Sequence, residues 1–346
     1  MSSHLEQELR EQPEALARLI EKQRGYAEQV RDLFRRDDVQ YILIASRGSS
    51  SNAARYAQYL LGRAHRVPVA FATPSLFTLY GQPPRLDGAL VIGISQSGKS
   101  PDVVEVVTEA RRQGRPTVAL TNDPSSPLGL AADGVLKLEA GDEHAVAATK
   151  TYVNSLGAVA LLFATSTADS QALDELERAP GQLARQLDRS WPDVAELDQF
   201  GEVEGGTVIA RGINYCTSFE IALKIRELSG LFFESYSAAD LMHGPVAAIA
   251  AGWPVVAVAP VGPAFDAMAE AVDAVAGRGA RTIVISEDME LCSRAEVGLP
   301  LLSGVPEWLS PLVAVVPGQL AAMRLAQLRG VDLDRPLGLS KITLTR

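Results

Sequence analysis

The sequence predicts an α/β protein of two tandem domains, each a parallel sheet flanked by helices. Three observations carry that expectation. At 346 residues the chain is longer than one ordinary core needs. Short apolar runs alternate along it with polar, glycine-containing turns and amphipathic stretches, the pattern of strand-helix-strand units in a parallel sheet. The pattern also repeats. Ile44-Ala45-Ser46-Arg47-Gly48 matches Val208-Ile209-Ala210-Arg211-Gly212 at an offset of 164 residues (44 to 208). Gln113-Gly114-Arg115-Pro116-Thr117-Val118 matches Arg278-Gly279-Ala280-Arg281-Thr282-Ile283 at an offset of 165 (113 to 278). A near-constant offset over two landmarks implies a duplicated domain.

The expected parts are an N-terminal helical arm (1–38), a first domain (39–165), a helical linker (166–200), a second domain (201–330) and an extended tail (331–346). In the arm, Leu16, Leu19 and Ile20 recur at helical spacing, and Pro13 reads as lying near the helix start. Strands are expected at Tyr41 to Ala45, Ala89 to Ile94, Thr117 to Leu120 and Val135 to Leu138. Charged residues interrupted by Pro180 and Pro192 fill the linker, and the strand-and-turn pattern resumes at Thr207. Val246 to Phe265 has the length and apolarity of a membrane span, but Gly252, Pro254, Pro260, Gly262 and Pro263 interrupt it. It reads as a turn feeding a buried strand, Pro254 to Ala259, and no membrane association is expected.

Apolar residues make up 47% of the chain and charged residues 21%, a globular composition. Lys and Arg number 32 against 42 Asp and Glu, a net charge of -10, which disfavours a nucleic-acid surface. An anionic ligand then needs a local site rich in N–H groups or positive charge. Two cysteines, Cys216 and Cys292, supply neither a disulfide framework nor a zinc site, and no metal or cofactor is expected. The residues after Met1 are polar and charged, without an apolar signal core, so the expected location is cytoplasmic.

The first candidate site is Ser95-Gln96-Ser97-Gly98-Lys99-Ser100, a hydroxyl-rich turn after a buried strand and before a helix. Free amides of a first helical turn, the helix dipole and several hydroxyls can converge on one phosphate without an arginine. The competing reading is plain N-capping by Ser97 or Ser100. From Gly93 to Ser100 the residues also match the nucleotide P-loop pattern, but no acidic residue ends a neighbouring apolar strand, since Asp123 and Asp288 follow polar residues. A second polar turn, Arg47 to Asn52 with Ser49 and Ser50, follows the first strand and could share the ligand. The 165-residue offset sets Pro260 opposite Ser95, so only the first copy keeps a phosphate-type loop.

The second candidate is Glu220, Lys224 and Glu227, spaced i, i+4 and i+7 and so on one helical face, beside the apolar stripe Ile221, Ile225 and Leu228. A solvated face with an ordinary ion pair is the alternative. His243-Gly244-Pro245 follows in a rigid turn. Near the C-terminus, Asp332 to Lys341 forms a tail that must dock onto something to be ordered.

Together these residues resemble the double sugar isomerase (SIS) domain family: the isomerase portion of glutamine:fructose-6-phosphate amidotransferase and the stand-alone SIS-type glucosamine-6-phosphate deaminases. The resemblance runs through Glu8 to Pro13, Ser95 to Gly98, Ala147-Ala148-Thr149-Lys150, Glu220 to Glu227, His243 to Pro245 and Asp332 to Lys341. It implies two flavodoxin-like three-layer domains. It implies that Ser49, Ser50, Ser95, Gln96, Ser97 and Ser100 bind the sugar phosphate, with Val146 near the sugar through its backbone. It further implies that Glu227 moves the proton between C1 and C2 with Lys224 as neighbour, that His243 opens the ring, that Lys341 forms an imine with the ketose, and that Glu220 is a further acidic position. It also implies a homodimer in which His243 reaches the neighbouring subunit. Arg47, Lys99, His144 and Met242 stand where the amidotransferase has cysteine, glutamate, an aliphatic residue and lysine.

The chemistry fits those roles. A base serving both C1 and C2 suits a carboxylate. Lys341 must be neutral to attack a carbonyl, and with an ordinary pKa of roughly 10.4 only about one amine in a thousand is neutral at pH 7 without burial or a nearby cation. Because the isomerase-like sequence begins within a dozen residues of Met1, the expected activity is hydrolysis of glucosamine 6-phosphate to fructose 6-phosphate and ammonia. A fructosamine-phosphate deglycase or a plain phosphosugar isomerase would use the same residues. A non-catalytic sugar-phosphate sensor would explain the serine turns but not Glu227, His243 and Lys341 together.

Overall fold

The computed structural model describes residues 2–167, 169–336 and 338. The arm is one continuous helix, α1 (His4–Phe34), with Pro13 inside it rather than near its start. An interior proline costs about 3 kcal/mol or more by removing one main-chain bond and crowding the preceding turn. Leu5, Leu9, Leu16, Leu19 and Ile20 are all buried along α1, and at about 1.5–3 kcal/mol for each fully buried side chain their packing outweighs that cost.

The chain divides into two compact units. One comprises residues 11–143 and 148–180. Its sheet holds β1 (Tyr41–Ser46), β2 (Val69–Phe71), β3 (Ala89–Ile94), β4 (Thr117–Thr121) and β5 (Gly134–Lys137). All pairings are parallel, in the order β2-β1-β3-β4-β5. The helices of this unit are α2 (Gly48–His65), α3 (Ser75–Thr78), α4 (Pro101–Arg112), α5 (Pro127–Ala131) and α6 (Lys150–Thr167). β3 is buried throughout and β1 everywhere but Tyr41, because helices cover both faces of a parallel sheet. The chain leaves β1 for β2 on one side and returns to β3 on the other. The connections therefore diverge at the β1/β3 pair, the position where open α/β sheets form their ligand crevice.

The other unit comprises residues 2–10, 144–147, 181–336 and 338. Helix α7 (Ser170–Asp193) and a 3₁₀ turn, Val194–Phe200, lead to β6 (Gly205–Ala210), β7 (Phe232–Ser237), β8 (Pro254–Val258), β9 (Arg281–Ser286) and β10 (Val297–Pro300). These strands are again parallel, in the order β10-β9-β8-β6-β7. Read from the β7 edge, that order repeats the first sheet strand for strand. The helices are α8 (Tyr215–Ser229), α9 (Ala238–Met242), α10 (Phe265–Ala276), α11 (Met289–Arg294) and α12 (Ser310–Leu328). The run from Val246 to Phe265 folds as a short 3₁₀ turn, β8 and the loop before α10. Glu307–Leu328, which contains α12, is long and apolar enough to cross a bilayer, yet 94% of its most apolar 18 residues are buried in the protein.

α12 packs on α8 through a glycine. A Cβ built at Gly318 would stand 2.2 Å from Ile221 Cγ1, so the two helices approach as closely as they do only because residue 318 has no side chain. The turn after β8, Pro260 to Pro263, also differs in kind from its counterpart at Ser95. Burial raises the pKa of the Glu287 carboxyl, opposed by hydrogen bonds from the backbone of Glu287 itself and of Val261. Its Oε2 is buried with no hydrogen-bond partner among the described residues. The turn in this copy thus faces a buried carboxyl in place of the serine hydroxyls of the first.

Two outcomes follow. Gly318→Ala should destabilise the protein by about 1–3 kcal/mol in urea titration, overpacking exceeding the ~1 kcal/mol that alanine gains in a helix. Glu287 has a folded-state pKa above its unfolded value, so its contribution to stability is complete below the unfolded value and is lost as pH rises through the folded one. The stability of Glu287→Gln relative to wild type should therefore increase from about pH 4 towards neutrality, measured by thermal melts across that range.

Candidate functional site

The register of β1 on β3 sets Ser46 opposite Ile94, so the two polar turns leave the sheet side by side. Ser95 is buried, its amide bonded to the Leu120 carbonyl at 3.1 Å, and the Gln96 carbonyl accepts the Asn122 amide at 3.0 Å. Gly98 holds a φ of 62°, and a Cβ there would overlap Ser126 Oγ at 1.9 Å. Only glycine fits both the left-handed backbone and the close approach. The turn is thus pinned to β4 and α5, and it leads into the start of α4.

Neither candidate cap caps α4. Ser100 occupies the N-cap position without a side-chain hydrogen bond to the helix, and Ser97 Oγ accepts the Lys99 amide at 3.3 Å within the turn. The residues after Arg47 are not a loop either. α2 begins at Gly48, with no side-chain cap from Arg47 and no acidic residue in its first turn. Ser49 and Ser50 stand in that first turn. Two helix N-termini, both furnished with serines, start from adjacent strands, an arrangement suited to a dianion. Arg47 ties them together: its Nε donates to Asp102 Oδ2 at 2.5 Å, and Asp102, in the first turn of α4, is buried. The acids considered for a P-loop are engaged in turns. Asp123 Oδ1 accepts from the Ser125 amide and hydroxyl, which lowers its pKa, and Asp288 caps α11 at the Leu291 amide.

In the other unit, α8 follows β6 as α2 follows β1, and it carries Glu220, Lys224 and Glu227. The solvated-face reading fails. Glu220 and Lys224 are both 0% exposed, while the Glu227 side chain keeps 26% of its surface. Lys224 Nζ lies 3.6 Å from Glu220 Oε1 and donates to Glu227 Oε2. Burying a lysine is tolerable only with such partners, because an uncompensated buried charge costs several kcal/mol. Ile221, Ile225 and Leu228 form the apolar stripe as expected, all buried. Glu227 is thus the one carboxylate of the triplet that is both oriented by a cation and open to an incoming molecule.

His243 ends α9 as its C-cap, before Gly244 at φ 149° and a 3₁₀ turn that starts at Pro245. Its side chain is exposed, with no hydrogen bond to its imidazole among the described residues. Val146 is half-buried, directly after Ala145, whose amide donates to the Glu8 carboxylate at 3.2 Å. Lys341 lies outside the described residues. Ahead of it the tail docks: Leu333 is buried, and the Asp334 carboxylate accepts the amides of His4 at 3.1 Å and Leu5 at 3.3 Å. His4, His144, Asp332, Asp334 and Arg335 line a cavity of about 550 Å³.

Three of these links lay beyond sequence reasoning: Arg47 to Asp102, Glu8 to the loop after Glu143, and Asp334 to the start of α1. The Ala147 to Lys150 motif has a structural part to play. Lys150 is buried, its Nζ 2.5 Å from Glu11 Oε2 and 2.6 Å from the Asp142 carbonyl. The Glu143 carboxylate accepts the Thr149 and Thr151 amides at 3.1 and 3.0 Å, anchoring the start of α6.

The SIS domain family matches residues 36–165 and 207–329. Glutamine–fructose-6-phosphate aminotransferases (isomerizing) from Pyrococcus horikoshii and Thermococcus kodakarensis are 34% and 36% identical over 96% of this chain. The chain spans 56% of the length of each. Among solved structures, the C-terminal domain of glucosamine-fructose-6-phosphate aminotransferase from Francisella tularensis superposes with a TM-score of 0.84 at 26% identity, over 97% of this chain and 99% of that one. The glucosamine-6-phosphate deaminase of Thermotoga maritima shares the fold, with a TM-score of 0.82 at 21% identity over 99% of this chain and 100% of that one. Both matched regions fall on the two parallel sheets, and the chain belongs to the SIS domain family, as two SIS regions in tandem homologous to the isomerase portion of the amidotransferase.

Proposed function

We propose that the chain is a phosphosugar isomerase of the deaminating kind, hydrolysing glucosamine 6-phosphate to fructose 6-phosphate and ammonia. The observation that carries this reading is Glu227, a carboxylate oriented by a buried lysine and left partly open on an otherwise buried charged face. The serine-bearing starts of α2 and α4 supply the phosphate half of the reading, with Ser49, Ser50, Ser95, Gln96, Ser97 and Ser100 as ligands. Relatives that act on fructose 6-phosphate by name support the sugar class.

The roles follow from the chemistry. His243 assists ring opening of the aminosugar by moving the proton of the anomeric oxygen. Glu227 takes the C2 proton and returns it to C1, so the 2-amino aldehyde becomes a C2 imine. Lys224 holds the Glu227 carboxylate in place and balances its charge. Water adds to the C2 imine, directly or after exchange onto the Lys341 amine, and ammonia leaves with C2 as the ketone. Only water is needed as co-substrate.

The test is an ammonia-release assay over hexosamine and fructosamine 6-phosphates, with product identified as the ketose or aldose phosphate. Release of ammonia from glucosamine 6-phosphate supports the proposal. Release of a free amino compound from a fructosamine phosphate with no activity on glucosamine 6-phosphate would replace it with a deglycase. Glu227→Gln should lower kcat by about 10²- to 10⁴-fold with KM little changed, since it removes the base and keeps the shape. Unchanged kcat in that variant would remove Glu227 from the mechanism.

The exposed imidazole of His243 suits a residue that works in a neighbouring subunit, and the proposed working unit is a homodimer. Mixing inactive His243→Ala and Glu227→Gln proteins should then restore about a quarter of wild-type activity, because half of the dimers are mixed and each mixed dimer regains one of two sites. Absence of recovery after verified subunit exchange would assign both residues to one chain.

A further inference from the structure

The two copies carry the same pair of residues at matching positions. Arg47 follows β1 as Arg211 follows β6, and Asp102 lies in the first turn of α4 as Asp266 lies in the first turn of α10. Both matches have the 164-residue offset of the duplication (47 to 211, 102 to 266). The backbone is nearly identical as well, with φ -140° and ψ 157° at Arg47 and φ -147° and ψ 156° at Arg211. The side chains behave differently. In the first copy Arg47 Nε donates to Asp102 Oδ2 at 2.5 Å, and the Asp102 side chain is 2% exposed. In the second, Arg211 and Asp266 are both exposed, and no ion pair joins them among the described residues. The scaffold therefore does not require the bond, which forms in the copy that keeps the serine turn.

The pairing leaves most of the Arg47 guanidinium unused. Asp102 is fixed on both oxygens, since Oδ2 takes Arg47 Nε and Oδ1 accepts the Val103 amide at 3.0 Å. The bond from Nε is the one side-chain hydrogen bond of Arg47 among the described residues, and 52% of its side chain is exposed. A guanidinium carries five N–H donors in a rigid plane. Those on Nη1 and Nη2 are thus held by an anchored group yet open to a ligand. Arg47 immediately precedes α2 and binds the first turn of α4, so its charge belongs to both helix starts. Electrostatics gives the same result. Asp102 alone would set a like charge beside any anion drawn to the positive end of α4. Arg47 cancels that charge and adds donors of its own.

We propose that Arg47 is a further phosphate-binding residue, whose Nη groups donate to the phosphate oxygens, and that Asp102 is the residue that positions it. The proposal rests on the reading of the serine-bearing starts of α2 and α4 as the phosphate site. Amides and hydroxyls bind a phosphate without a full positive charge. A guanidinium adds charge-assisted hydrogen bonds in a planar, forked geometry that matches two phosphate oxygens. Arg47 therefore raises the preference for a phosphorylated sugar over its neutral parent and makes binding depend on salt.

The experiment is calorimetric titration with fructose 6-phosphate and with inorganic phosphate, each at low and high salt. Wild type, Arg47→Ala, Arg47→Lys, Ser97→Ala, Asp102→Asn and the double variant Arg47→Ala with Asp102→Asn are compared, with melting temperatures as the check on folding. Arg47→Ala should weaken both ligands by about 10- to 100-fold, the range for hydrogen bonds to a charged group, and should flatten the salt dependence. Arg47→Lys should fall between the two, because an ammonium keeps the charge and loses the fork. Asparagine at position 102 removes the charge and still accepts from Nε, so Arg47→Ala should weaken binding severalfold in that background too. Wild-type affinity and salt dependence in folded Arg47→Ala would overturn the proposal. A loss that vanishes in the Asp102→Asn background would also overturn it, since Arg47 would then only mask Asp102. If Arg47→Ala alone does not fold, the double variant, which leaves no unpaired buried charge, decides against its Asp102→Asn parent. Ser97→Ala separates the two layers. Wild-type affinity for both ligands in Ser97→Ala and in Arg47→Ala removes the phosphate site and the proposal with it, whereas weakened binding in Ser97→Ala beside wild-type binding in Arg47→Ala sinks the role of Arg47 alone.

Discussion

The parallel pairing of β1 with β3, and of β6 with β8, is the constraint from which the functional geometry hangs. Parallel neighbours cannot be joined by a tight turn, so each strand must be followed by a helix that crosses back over the sheet. Every strand end at one edge is therefore followed by a helix start, with its free amides and positive dipole end. Where the chain reverses direction across the sheet, two such starts lie side by side. In the first copy that pair is α2 and α4, both lined with serines. The register that sets Ser46 opposite Ile94 makes both helices start from adjacent strand ends.

The two copies use the same scaffold differently. At the β1/β3 position the first copy offers amides and hydroxyls, with Gly98 allowing the turn to fold against Ser126. At the matching β8 position the second copy buries the Glu287 carboxyl by the Val261 backbone, and burial raises its pKa. The second copy instead develops the helix after its first strand. α8 takes a buried lysine between two carboxylates, and the close seat of α12 on Ile221, permitted by Gly318, holds that helix in place. The two copies therefore share a strand order but differ in the side chains they carry at matching positions.

The buried charges are compensated locally, some by backbone groups and some by oppositely charged side chains. Lys150 binds Glu11 and a carbonyl, Glu143 and Glu8 bind amides, Asp102 binds Arg47, and Lys224 is flanked by two acids. Each is desolvated and so must be compensated locally. Glu227 and His243 stand apart, a carboxylate partly open and an imidazole exposed.

What the sequence determined by itself was whatever depends on local spacing. Apolar runs and glycine turns located the central strands within a residue or two, the near-constant offset revealed the duplication, and the i, i+4, i+7 spacing put Glu220, Lys224 and Glu227 on one face. The short edge strand β2 was not legible, since three residues with one side solvated leave little pattern. Pro13 was misread because a proline weighs heavily in local propensity, while the burial that overrides it depends on distant partners. Tertiary structure alone decided burial and long-range pairing. It made the α8 face a buried charge cluster rather than a solvated one, joined Arg47 to Asp102, and brought Asp334 to the amides of His4 and Leu5. The physical reason is the same in each case: a hydrogen bond between residues far apart in the chain leaves no periodic signature, because its partners are set by how the sheets and helices pack and not by their separation in sequence.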